Sequence, residues 1–308
     1  MSTDPKAHAF SLETRVWPSS YGSSAKPRMG FFTDTSICIG CKACEVACKE
    51  WNQIPESPKG FSGHSYDNTL DLGADTWRHV AFVEQRLPAE LDGGATLVEV
   101  AERHGMAEQG LASLQEGEGG LRWLMASGVC KHCTHAACLE VCPTGALFRT
   151  EYGTVVVQQD ICNGCGYCVP ACPFGVLDKR EEDGRVWKCT LCYDRLKDDQ
   201  EPACAQACPT QSIQFGELSQ LRERANERLG RLRAAGQDRA QLYLADDDDG
   251  IGGAGAFFLL LDEPEVYGLP PDPRDTVHDI GSIWAAVGGA ALALGAGLAA
   301  SVLAGRRR

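Results

Sequence analysis

At 308 residues the chain is long enough for two domains, or for one large domain with insertions. Its 42 acidic against 29 basic residues leave a net charge of −13, which excludes a nucleic-acid partner, since phosphate binding needs a basic footprint. The 16 cysteines exclude a scattered disulfide framework as well, because they fall into four sets of four with none left over.

Residues 1–28 are polar and rich in Ser and Pro and are expected to form an extended arm. The first 36 residues contain neither an apolar h-region nor a twin arginine, so no cleavable export signal is expected. Met29 to Thr33 is a short apolar run that enters as a strand. It leads into the first set, Cys38, Cys41, Cys44 and Cys48, and Ala43 to Trp51 reads as a short helix leaving it. The next 81 residues hold no cysteine. Within them Trp77 to Glu84 alternates as a strand does, Thr96 to Leu114 is helical in pattern but broken by Gly105 and Gly110, and Gly117 to Gly120 is a loop. An insertion of this length carries an interface, covers a metal site or is decoration, and the residues do not choose among these.

The second set is Cys130, Cys133, Cys138 and Cys142, followed by Pro143. His132 and His135 lie inside this loop. With four thiols present, they are expected beside the ligands rather than among them. Ala146 to Arg149 and Thr154 to Gln158 read as a hairpin that delivers the chain to the third set, Cys162, Cys165, Cys168 and Cys172, with Pro173 after it. A second hairpin, Val176 to Arg180 with Arg185 to Lys188, leads to the fourth set: Cys189, Cys192, then Cys204 and Cys208 after a gap of 11 residues, with Pro209 following. Ser212 to Phe215 closes this unit as a strand.

The spacing of the third set carries the chemistry. Three thiolates three residues apart on a tight loop can face one iron–sulfur cluster, while the fourth, four residues on and stopped by proline, points to another. A structural zinc site also uses Cys-x2-Cys pairs, but such sites separate their pairs by a longer spacer and need no third cysteine at this step. The repeating unit of cysteine loop, short helix and strand occurs four times, one module reused to line up clusters.

After Gly216 the pattern changes. Leu218, Leu221, Ala225, Leu229 and Leu232 fall at helical spacing with arginines between them, which reads as a helix packed on its own domain with a solvated charged face. Ala256 to Leu261 is expected as a buried strand. Ile280 to Ala304 carries no charge, and 25 residues at 1.5 Å rise make roughly 37 Å of helix, enough to cross a hydrocarbon core. Arg306, Arg307 and Arg308 follow it, which by the positive-inside rule puts the C-terminus in the cytoplasm and the cysteine-rich domain on the extracytoplasmic side, in the cell envelope.

Gly30-Phe-Phe-Thr-Asp-Thr-Ser-Ile-Cys-Ile-Gly-Cys-Lys-Ala-Cys-Glu-Val-Ala-Cys-Lys-Glu-Trp-Asn52, Ser127-Gly-Val-Cys-Lys-His-Cys133 and Glu201-Pro-Ala-Cys-Ala-Gln-Ala-Cys-Pro-Thr-Gln-Ser-Ile-Gln-Phe-Gly216 resemble the iron–sulfur (beta) subunits of membrane-associated formate dehydrogenases. These lie within the four-cluster electron-transfer subunits of molybdopterin oxidoreductases. The resemblance covers roughly residues 29 to 270, widened spacings included. Nitrate reductase relatives replace a cysteine of the third set and hold a three-iron cluster. Cys165 is present here, so four 4Fe–4S clusters are implied.

Spacing alone leaves the pairing of sets open. Nineteen residues separate Cys142 from Cys162 and sixteen separate Cys172 from Cys189, so the third set fits either neighbour. The resemblance implies first with fourth and second with third. On this chain one cluster would take Cys38, Cys41, Cys44 and Cys208, and its partner Cys189, Cys192, Cys204 and Cys48. Cys130, Cys133 and Cys138 would go with Cys172, while Cys162, Cys165 and Cys168 would go with Cys142.

The expected architecture is therefore α+β: two bacterial-ferredoxin-like dicluster units built on four cysteine motifs, with a single C-terminal transmembrane helix. The arm spans 1–28, the four-cluster domain 29–216 with an insertion at 52–129, a helical and extended segment 217–279, and the transmembrane helix 280–304. Nothing in the sequence resembles a substrate pocket with a nucleophile and a base, so the chain is expected to conduct electrons rather than catalyse. The resemblance implies a molybdopterin catalytic (alpha) subunit as electron donor, molybdenum- or tungsten-dependent, and a membrane cytochrome b or quinone-reactive (gamma) subunit as acceptor. The same relay for another molybdoenzyme or a hydrogenase is the near alternative; a zinc scaffold without electron transfer is the distant one.

Overall fold

In the computed structural model, described for residues 21, 24–56, 60–86, 121–247, 249–275, 277 and 280–305, a four-stranded sheet ties the beginning of the cysteine-rich region to its end. β1 (Met29–Asp34) pairs antiparallel with β8 (Ile213–Glu217) and parallel with β10 (Ala256–Leu260), which in turn pairs antiparallel with β9 (Gln241–Tyr243). The apolar runs at 29–33 and 256–261 form strands because both their faces find cover. Phe31, Phe32 and every residue of β10 are buried, and Phe32 stacks on Phe257 with ring centroids 5.3 Å apart. Side chains of this size each gain about 1.5–3 kcal/mol from burial, so this sheet is the mechanical base of the molecule.

Helix α6 (Leu218–Ala234) lies against that sheet by Leu218, Leu221 and Ala225, as its periodicity predicts. Its arginines serve the domain itself: Arg228 pairs with buried Asp34 at 2.9 Å and Arg222 with Asp247 at 2.8 Å. Two hairpins occur where turn residues predict them, β4–β5 (Leu147–Arg149, Val155–Val157) and β6–β7 (Asp178–Lys179, Val186–Trp187). The strand expected at 77–84 is β2 (Arg78–Arg86). Its partner β3 (Leu121–Val129) has no counterpart among the predicted elements; together they make a nine-residue antiparallel ribbon that closes the insertion. The predicted helix at 96–114, the loop at 117–120, most of the N-terminal arm and the terminal arginines lie outside the described residues. The arm's last residues are extended and pinned: the Lys26 N–H donates to the Glu151 carbonyl and the Met29 N–H to that of Tyr152.

The C-terminal segment forms a 26-residue helix, α7 (Ile280–Gly305). The bilayer span expected of it is not shown: among the described residues, no helix is long and apolar enough to cross a membrane. Gly288, Gly289, Gly295 and Gly297 add length to it without apolar side chain. What is visible of its surface is exposed, including Ile283, Trp284, Val287, Leu292 and Leu294.

Candidate metal centre

The four cysteine loops share a backbone device. The residue just before the second cysteine of each set is left-handed: Gly40 (φ 65°), His132 (46°), Gly164 (71°) and Leu191 (58°). This reversal lets the two thiols of Cys-x2-Cys face the same way. Two of the four positions accept a side chain at a strain of about 1–3 kcal/mol each, and there burial holds the backbone, since His132 and Leu191 are both buried. A second repeat follows the last cysteine of three sets, where Gly145, Gly175 and Gln211 are left-handed and donate to the carbonyls of Cys142, Cys172 and Cys208.

Gly164 has a further constraint, because a Cβ there would stand 2.3 Å from the Gly184 carbonyl oxygen in the β6–β7 turn. Gly145 has the same backbone conformation with nothing nearby. Gly145→Ala should therefore cost only the strain, about 1–3 kcal/mol. Gly164→Ala should cost more and should displace the third loop. Thermal unfolding and iron content of the two variants check this, and equal losses would refute it.

Sheet pairing decides which loops meet. β1 runs into Cys38 and β8 runs out of Cys208; with Thr33 opposite Ile213, antiparallel pairing puts both cysteines at the same end. The β4–β5 hairpin does the same for Cys142 and Cys162, with Leu147 opposite Val157. Helix packing repeats the relation. Helix α1 (Ala43–Asn52), bearing Cys44 and Cys48, packs on α5 (Ala203–Gln206), bearing Cys204. Helix α2 (Ala137–Glu140), bearing Cys138, packs on α3 (Cys168–Ala171). The wide gap of the fourth set holds α4 (Tyr193–Lys197), whose Arg195 donates to the Glu201 carbonyl at 2.6 Å and to Gln206 at 2.8 Å. Those bonds fold the gap back on itself and bring Cys192 near Cys204.

All sixteen thiols are free, and neighbouring thiols from different sets gather in neighbourhoods. Cys38, Cys41, Cys44 and Cys208 line one recess with Val80, Ser127 and Ser212. Burial, and then Cys189, Cys204 and Cys192, push the Cys48 thiol well up. Burial, and then Cys130, Cys138 and Cys172, do the same to Cys133. Burial, with Cys142, Cys162 and Cys165 adding to it, raises Cys168 to about 12. Electrostatic influence also runs between neighbourhoods. Cys204 acts on Cys44, Cys130 on Cys189 and Cys168 on Cys138. No three of the described His, Cys, Asp or Glu side chains close around a single ion.

Crowded buried thiols resist ionisation because four anions repel one another and lack water; a cationic centre among them removes that penalty. Backbone N–H groups already wait on two of the exchanged cysteines. Burial raises Cys142, but the N–H groups of Leu147, Thr144 and Ala146 and the Thr144 hydroxyl outweigh it and hold that thiol below its usual range. Burial wins at Cys172 despite N–H donors from Val176 and Phe174. His132 is engaged elsewhere than as a ligand. His132 Nδ1 accepts the Val155 N–H, and burial, then the charges of Lys188, Arg149 and Arg28, keep the ring neutral. The donor set thus fits cysteine-ligated iron–sulfur clusters.

The 4Fe–4S dicluster domain family matches residues 121–218. The nitrate-inducible formate dehydrogenase iron–sulfur subunit of Escherichia coli K12 is 37% identical over 268 residues, 86% of this chain and 80% of the relative. The formate dehydrogenase iron–sulfur subunit of Haemophilus influenzae is 36% identical over 297 residues, 92% of this chain and 84% of the relative. One polypeptide of the anaerobic dimethyl sulfoxide reductase of Escherichia coli K12 is 33% identical over 196 residues, 63% of this chain and 76% of the relative.

Proposed function

This chain belongs to the formate dehydrogenase iron–sulfur subunits, which are electron-transfer rather than catalytic members of their complexes, and we propose that it holds four 4Fe–4S clusters in a line. One cluster takes Cys38, Cys41, Cys44 and Cys208, and the next Cys48, Cys189, Cys192 and Cys204. The third takes Cys130, Cys133, Cys138 and Cys172, and the fourth Cys142, Cys162, Cys165 and Cys168. The donor is a molybdenum- or tungsten-pterin formate dehydrogenase catalytic subunit. The acceptor is a membrane cytochrome b or quinone-reactive subunit, against which α7 packs as an anchor with the cluster domain outside the cytoplasmic membrane. The same relay for a dimethyl sulfoxide reductase type of enzyme is the second reading; that likeness spans only 63% of the chain, against 86–92% for the formate dehydrogenase subunits.

One observation supports the cluster reading above the rest. Arg78, Lys131 and Lys188 are all but fully buried, and among the described residues no carboxylate pairs with any of them. Burying an unpaired cation costs several kcal/mol or more, so anions must stand beside it. The cysteines do. Burial lowers Lys131 to about 8, while Cys130, Cys133 and Cys172 work to keep its charge. Lys188 donates to the Val155 and Cys189 carbonyls and acts on Cys138. Bound clusters would supply one-electron carriage without movement of ligands, and the chain supplies thiolates, sulfur-directed N–H groups, buried positive charge and exclusion of water.

Anaerobically purified chain should carry about sixteen iron and about sixteen acid-labile sulfide, as four clusters require. Stoichiometric zinc without sulfide would replace this reading with the scaffold alternative.

A further inference from the structure

Arg78 stands at the first position of β2, on the strand face that also carries buried Val80, and its side chain is 2% exposed. One guanidinium nitrogen, Nη1, donates to the Ser127 hydroxyl at 3.0 Å and to the Ser127 carbonyl at 3.3 Å. That hydroxyl lies 3.3 Å from the Cys44 sulfur, so the anchor itself touches a ligand. The Phe31 ring closes one side, 4.9 Å from the guanidinium carbon. The other two nitrogens, Nε and Nη2, are buried without a partner among the described residues. Glu45, which shares a cavity wall with Arg78, spends its carboxylate on Lys42, Thr69 and the Val80 N–H. The thiols that act on the Arg78 charge are Cys204, Cys44, Cys189 and Cys48, in that order. Cys44 belongs to the first neighbourhood and the other three to the second. The guanidinium charge therefore acts on thiols of both, and it reaches the first through Ser127.

Resting on the cluster reading above, we propose that Arg78 is a positioning residue that raises the reduction potentials of the two clusters flanking it by its fixed charge and by the N–H groups of its two free nitrogens. A cluster gains a negative charge on reduction, and a cation held nearby in a dry interior stabilises the reduced form. Hydrogen bonds to cluster sulfur act in the same direction. The charge is permanent, since arginine does not lose its proton in proteins. No thiol of the second or third cysteine set stands among those four, so the clusters of those sets should shift less when Arg78 changes.

Redox titration followed by electron paramagnetic resonance tests this on the complex with its iron counted first. In Arg78→Met the reduction equilibria of the clusters identified by Cys208→Ser and Cys204→Ser should fall at least tenfold, about 59 mV for one electron, with the other two moving less. Arg78→Lys retains the charge but loses the planar fork of donors, and should give a smaller fall in the same two clusters. If Arg78→Met does not retain its clusters, Arg78→Lys decides. In parent complex labelled with ¹⁵N-arginine, pulsed resonance should also detect nitrogen coupling in those two signals, and Arg78→Lys should abolish it. Unchanged potentials, an equal shift of all four, or no nitrogen coupling overturns the assignment. Parent protein lacking iron would overturn the cluster reading instead.

Discussion

Cys208→Ser should abolish the resonance signal of the cluster we assign to Cys38, Cys41 and Cys44, although 163 residues lie between Cys44 and Cys208. The expected loss is about four iron atoms per chain, with the other clusters retained. β1 and β8 pair antiparallel, so the loop leaving one and the turn entering the other meet at one edge of the sheet. Thr210 and Ser212, just after Cys208, line the same recess as Cys38 and Cys41. Burial, with Cys208 and Cys41 adding to it, pushes the Cys38 thiol up against hydrogen bonds from the Gly40 N–H and Ser212, so the thiols of both sets already sense one another. Cys41→Ser serves as the reference, because it strikes the same cluster from within its own loop. If Cys208→Ser spares the signal that Cys41→Ser removes and instead deletes that of Cys189 and Cys192, each set ligates its own cluster and the crossed assignment is wrong.

The reach of the sequence ends where long-range pairing begins. The Cys-x2-Cys spacings, the prolines behind three of the sets and the short apolar strands are local, so they are readable without a fold. Which set meets which is decided by registers such as Thr33 with Ile213, and spacing alone leaves two partners open for the third set. β3 gives no clear strand signal because Ser127 and Gly128 interrupt its apolar pattern; it is a strand because β2 covers it along its whole length. Arg78 does leave a local signal, a charge on the face shared with Val80 and Phe82, yet alternation registers only a polar residue in a strand. The insertion is likewise explained by contact. Phe82 and Met125 of its ribbon crowd Gly40, with 2.6 and 2.9 Å left for a Cβ, so the ribbon covers the first cysteine loop.

Deleting residues 280–308 should release the chain from membranes and leave its iron content unchanged. Helix α7 follows a loop at 261–275 that is tied back to the domain, where the Asp275 N–H donates to the Gly250 carbonyl and the Tyr243 hydroxyl to that of Pro270. Past that point the described side chains of α7 are exposed; Trp284 and Leu292 are 67% and 78% accessible. A run of apolar side chains left uncovered on a 26-residue uncharged helix has either lipid or another helix as its natural cover. Its glycines lower the apolarity of a span but let a partner helix approach closely, so anchoring together with a membrane subunit is expected to be stronger than anchoring alone. The test compares full-length and truncated chains, each with and without the membrane partner, after an alkaline carbonate wash. Full-length protein should stay with the membrane and the truncated form should wash free in both settings. Retention of the truncated form when the partner is present would move the membrane attachment from α7 to the cluster domain. Protease added to intact spheroplasts then fixes the side: digestion of the cluster domain before lysis supports the extracytoplasmic placement argued from Arg306, Arg307 and Arg308, and protection until lysis reverses it.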